Sequence, residues 1–136
     1  MNVVENQVRD LVKIELAAAN ERFPQFHSQH EGWAVILEEQ VELGTEFDKI
    51  KGYMGDIFNK IIENNPVSLE IGLVQIHAIN AACEAIQVAA MAQKFLEMEN
   101  REILPALRLR GLAYPRPTEP LDKAEFNALA EVDDAE

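Results

Sequence analysis

Apolar residues at Val4, Val8, Leu11, Val12 and Ala18 or Ala19 recur at the spacing of one helix face, which predicts a first amphipathic helix over residues 3–22. Residues 23–29 hold Pro24 and read as a connection. Ser28 followed three residues later by Glu31 has the form of a capping box, so a second helix is expected to start there. Its apolar positions run through Trp33, Val35, Ile36, Leu37, Val41 and Phe47, and Gly52 and Gly55 are expected to weaken it. A short helix is then predicted over 56–63, with Ile57, Phe58, Ile61 and Ile62 turned inwards, ending at Asn64, Asn65 and Pro66.

From 68 to about 100 there is no proline, and Leu69, Leu73, Ile76, Ile79, Cys83, Ile86 and Ala90 repeat at three and four residues. That pattern predicts a long, mostly buried helix. Pro105 then intervenes, and 111–120 carries Pro115, Pro117 and Pro120, the composition of an extended connection. Strand alternation and internal repeats are absent from the pattern. The expected fold is therefore an all-α helical bundle of four helices over residues 1–110, followed by a proline-rich connection and an acidic tail over 111–136.

Composition narrows the partners. With 136 residues, 48% of them hydrophobic, the chain suits one domain with its own core. Twenty-four acidic residues against twelve Lys and Arg give a net charge of −12, which speaks against gripping duplex nucleic acid, because phosphate binding needs clustered positive charge. A metal held by surplus carboxylates would supply positive charge to an anionic ligand. Cys83 is the single cysteine, the first residues lack the pattern of a secretory signal, and the apolar stretches are interrupted by Glu, Gln, His or Asn. A cytoplasmic location with no membrane-spanning helix is the expectation.

The carboxylates are patterned. In Glu38-Glu39-Gln40-Val41-Glu42, Glu39 and Glu42 share a helix face, and Glu38 and Glu42 are also neighbours. Stacked like charges are tolerated when solvated, as an acidic surface stripe, or when an oxygen-seeking cation sits between them. On the long helix His77, Asn80, Glu84 and Gln87 follow at spacings of three, four and three, a polar stripe among Ile, Ala and Val. A carboxylate in such surroundings is costly unless paired, protonated or bound to metal. By a rise of about 1.5 Å per residue, Glu39 lies roughly 18 Å before the end of helix two near Lys51, and Glu84 roughly 24 Å after Ser68. Antiparallel packing would bring the two motifs to similar depths.

These residues resemble the MazG-like all-α nucleoside triphosphate pyrophosphohydrolases, whose signature is Glu-Glu-x-x-Glu followed by Glu-x-x-Asp. Here Glu38-Glu39-x-x-Glu42 is followed by Glu84-x-x-Gln87, and the flanks from His30 to Leu37 and from Ala85 to Ala92 are similar to the short phage and bacterial members. The resemblance covers residues 26–96. Two departures stand out: Gln87 occupies the acidic fourth position, and forty-one residues separate Glu42 from Glu84, a longer interval than is usual.

The resemblance implies Mg²⁺, with Mn²⁺ as a substitute, and hydrolysis of a nucleoside triphosphate to the monophosphate and pyrophosphate. It places Glu39, Glu42 and Glu84 as metal ligands, Glu38 and Glu39 as the catalytic residues, Glu38 as ligand or general base, and Gln87 as an outer or weak metal ligand. His30, Trp33, Asn80 and Lys94 are candidates for substrate contact. Plainer readings stand beside these: His27 and His30 as residues that cap or orient a helix start, Trp33 and Cys83 as core, and Lys94 as solvated charge. Long helices with apolar residues on several sides predict a homodimer or homotetramer. The competing function is a non-catalytic dimerisation or nucleotide-sensing module, which Gln87 favours. A di-iron site is disfavoured, because no Glu-x-x-His pair occurs.

Overall fold

The computed structural model describes residues 3–112, all of whose regular structure is helical. Four helices follow in order: α1 (Glu5–Arg22), α2 (Gln29–Ile62), α3 (Ser68–Met98) and α4 (Leu104–Leu109). The chain divides into two compact units, Met1–Glu99 and Asn100–Glu136. In the second unit only α4 and its flanks are described; residues 113–136, which hold most of the expected proline-rich connection and acidic tail, lie outside the described residues.

Ser28 caps α2 as its sequence predicts, its Oγ accepting from the Glu31 N–H at 3.1 Å. The reciprocal half of the capping box is shifted by one residue. Glu31 accepts the backbone N–H of His27 at 2.8 Å and also meets its ring Nδ1 at 2.9 Å. These bonds hold the Glu31 carboxyl below its ordinary range, the backbone hydrogen bond contributing most.

The expected break near Gly52 and Gly55 does not occur: α2 is one helix of 34 residues that absorbs the predicted short helix. Each glycine costs about 1 kcal/mol against alanine in a helix. Tertiary anchoring beyond them offsets this. Ile57 is buried, and Lys60 forms an ion pair with Glu70 of α3, whose side chain is only 10% exposed. The Lys60 ammonium keeps the Glu70 carboxyl below its ordinary range. A short link, 63–67, then folds α3 back antiparallel to α2, with Asn64 taking a left-handed backbone at φ 58°.

α1 packs on α3 near the other end of this hairpin. Phe26, Ala90 and Met91 form the core there, with Val12, Leu16, Ala19, Val35, Ile36 and Phe95 against them. The close approach of α2 to α3 needs Gly32. A Cβ on it would lie 2.4 Å from Phe95 Cδ2 and 3.0 Å from Phe26 Cδ2. Alanine gains about 1 kcal/mol in helix propensity but forces two packed rings apart, at roughly 1–3 kcal/mol. The net loss of about 1 kcal/mol is expected to lower the melting temperature of Gly32→Ala by on the order of 5 °C in thermal denaturation. An unchanged value would mean that the rings yield freely.

The expectation of a mostly buried α3 is overturned within one chain. Ile76 and Ile79 are more than half exposed, Asn80 and Cys83 are exposed, and the buried side chains are Glu70, Ala81, Ala90, Met91 and Lys94. Trp33, also read as core, is 61% exposed. Three helices enclose one seam, and long apolar helices have more surface than one seam can cover. By length and composition alone α3 is long and apolar enough to cross a membrane.

Candidate metal centre and its adjoining cavity

Glu39 and Glu42 project from α2 one turn apart, and Glu84 projects from α3. Antiparallel pairing brings all three together, with one oxygen of each within 4.8 Å of the others. A divalent ion bound to carboxylate oxygens at about 2.0–2.6 Å spans such a gap. Gln87, one turn beyond Glu84, reaches the same place. In the orientation that satisfies both partners, its amide N–H groups donate to Glu39 Oε2 at 2.6 Å and Glu84 Oε2 at 3.0 Å. The position that carries Asp in the resembling signature is thus a neutral clasp between two carboxylates.

Electrostatics report the crowding. Burial, then the charges of Glu42 and Glu84, push the Glu39 carboxyl above its ordinary value of 4.5. Burial, then Glu42 as both charge and hydrogen-bond acceptor, pushes Glu84 up as well. Two unit charges about 4.8 Å apart repel by about 3 kcal/mol at an effective dielectric near 20, and by less where solvent reaches them. A fully ionised trio would therefore tax a protein whose whole stability is about 5–15 kcal/mol. Protons or a cation relieve it.

Sequence reasoning did not single out two contributors. Glu15, on α1, raises both Glu39 and Glu84 through its charge. Its signal was its position beside Leu16, on the margin of the apolar face. Glu46 lies one turn beyond Glu42 and meets His77 Nδ1 at 2.6 Å, and the His77 ring stacks on Tyr53 with centroids 5.6 Å apart. The hydrogen bond from His77 holds Glu46 below its ordinary value. The spacing of Glu39 to Glu46 equals that of His77 to Glu84, which antiparallel helices convert into a second rung.

A cavity of about 510 Å³ opens beside the trio, between α1, the link to α2, and the start of α2 with the end of α3. Glu15, Glu38, Glu39 and Gln87 line one part of it, and Phe23, Phe26, Val35, Met91 and Lys94 another. Glu38 is exposed and outside the trio, yet adjoins it along the cavity wall. Of the four candidates for substrate contact, Lys94 lines this cavity, whereas His30, Trp33 and Asn80 do not and are exposed. Compared with protein-family models, curated proteins and solved structures, the chain matches none.

Proposed function

We propose that this chain is a metal-dependent nucleoside triphosphate pyrophosphohydrolase of the MazG-like kind, acting in the cytoplasm as a homodimer or homotetramer. The convergence of Glu39, Glu42 and Glu84 from two helices onto one point carries the reading. Three carboxylates suit a hard divalent cation, Mg²⁺ or Mn²⁺, more than a soft one. Gln87 would add a carbonyl oxygen if its amide turned over, or remain an outer hydrogen-bonding partner. When bound, the ion would neutralise phosphate charge and favour ionisation of the attacking water.

The chain's own residues supply the rest. Glu39, Glu42 and Glu84 fix the cation, and Glu38, on the cavity wall next to Glu39, is placed to take a proton from the water. The water oxygen bonds to the α-phosphorus, the bond from that phosphorus to the bridging oxygen breaks, and pyrophosphate leaves. Exposed Trp33, Val41, Phe47, Phe58, Ile61 and Ile62 on α2, with Leu69, Ile76 and Ile79 on α3, favour burial against further copies.

Incubation with each nucleoside triphosphate and Mg²⁺, followed by a pyrophosphate assay, tests the activity. Release is expected from at least one nucleotide, and Glu42→Ala should lower it by two orders of magnitude or more. Inertness towards all of them would leave the second reading, a non-catalytic helical module. One observation favours that alternative: the Gln87 clasp satisfies Glu39 and Glu84 without any ion.

A further inference from the structure

Lys94 is 2% exposed, yet no carboxylate among the described residues lies within ion-pair distance of it; Glu31, on the same cavity lining, feels its charge from further off. Its ammonium donates to the Phe23 carbonyl at 3.4 Å and stands over the Phe26 ring, 5.1 Å from the centroid. An ammonium has three donors, and a buried one with a single long hydrogen bond is costly to keep. Methionine would fill the same space at less cost. The lysine borders the apolar part of the 510 Å³ cavity, whose size falls in the range of small-ligand pockets.

Accepting the nucleotide reading above, we infer that this cavity seats the nucleobase and that Lys94 selects among bases by donating a hydrogen bond to a ring oxo group. Three features place the base here, and the phosphates elsewhere. Phe23 lines the cavity but is 65% exposed, which leaves a ring face for stacking. Phe26, Val35 and Met91, packed on one another, give the cavity an apolar wall suited to a planar ring, with Arg22 and Glu31 also on the lining. Lys94 lies ten residues past Glu84, about 15 Å along α3, and seven past Gln87, about 10 Å, an interval comparable with the reach of a nucleotide from base edge into its phosphate chain. The phosphates then fall at the carboxylate trio, where a cation would receive them.

The selection follows from hydrogen-bond chemistry. Uracil, thymine, guanine and hypoxanthine carry an oxo group on the pairing edge, an acceptor for the ammonium. Adenine carries an amino group where the oxo oxygen would project, a donor facing donors; its acceptor on that edge is the ring nitrogen N1, set back from the position that the oxo oxygen reaches. Lys94 is thus a specificity residue for the base.

Uridine, inosine and adenosine, free of phosphate and with no metal added, can be titrated into the full chain by nuclear magnetic resonance. Uridine and inosine are expected to bind at least about tenfold more tightly than adenosine, the size of one charge-assisted hydrogen bond partly open to water. Lys94→Met should level the three affinities by weakening the first two while sparing adenosine. Equal affinities in the unaltered chain, no nucleoside binding at all, or a preference that survives Lys94→Met would each overturn the inference, even if triphosphates are hydrolysed. Selective binding together with catalytic inertness would instead sustain the pocket and remove the enzyme. The unaltered chain alone supplies the decisive ratio, so the test does not depend on the variant folding.

Discussion

Glu84→Gln should make the metal-free protein more stable at neutral pH and remove most of its response to Mg²⁺ or Mn²⁺. The first effect follows from the raised carboxyls of Glu39 and Glu84. A group whose folded value lies above its unfolded one binds more protons in the folded state. Its folded form is favoured in acid, and stability falls as pH rises from the ordinary value of 4.5 through the raised one. Above that window the metal-free native state carries the full repulsion. Glutamine at position 84 keeps the shape and deletes one charge of the three, so the fall on this limb should shrink.

The second effect has the opposite sign. A ligand present at about 100 times its dissociation constant stabilises a folded protein by about 2.7 kcal/mol, which for a chain of this size is on the order of 10 °C in melting temperature. The unaltered protein should show that rise with Mn²⁺, more strongly at pH 7.5 than at pH 5, because protons compete for the same oxygens. Glu84→Gln should show little of it. Melting curves at the two pH values, with and without Mn²⁺, provide the check. A substitution that destabilises the metal-free chain, or leaves a full Mn²⁺ response, would mean that Glu84 is not part of a shared cation site.

The helices and the meeting of the two motifs were legible because each has a local physical signal. The Ser28 and Glu31 pair marks the start of α2, and the absence of proline over 68–98 permits one long α3. The three-residue spacing of Glu39 to Glu42 and of Glu84 to Gln87 fixes a face on each helix, and a short link leaves antiparallel packing as the simplest arrangement. What sequence reasoning missed depends on tertiary context. Gly52 and Gly55 weaken a helix by amounts that the Ile57 and Lys60 contacts offset, and those contacts are invisible in a local window.

Burial was the least legible property. Ile76, Ile79 and Cys83 follow a core-like period, but a period gives the face and not what covers it. Lys94 shows the converse. It reads as surface charge in sequence and lies buried, because α1 and the link after it close over that end of α3 through Gln25 and Phe23.

Gln87→Asp should reverse the balance that Glu84→Gln produces. The native amide gives N–H donors to Glu39 and Glu84 at 2.6 and 3.0 Å, which offsets part of their repulsion with no ion present. Aspartate removes both donors and adds a fourth negative charge at the same place. In the absence of metal the melting temperature should fall by several degrees at pH 7.5, and Glu39 and Glu84 should hold their protons to still higher pH. With metal the added carboxylate becomes a ligand, so affinity for Mg²⁺ should rise about tenfold or more, a gain of about 1.4 kcal/mol for each factor of ten. The melting curves of variant and unaltered protein are therefore expected to cross as Mg²⁺ is raised: less stable without it, equal or more stable near 10 mM. Pyrophosphate release, if limited by metal occupancy, should reach its maximum at lower Mg²⁺ in the variant. A variant that is destabilised alike with and without Mg²⁺ would mean that the clasp is purely structural and that no ion enters between these helices.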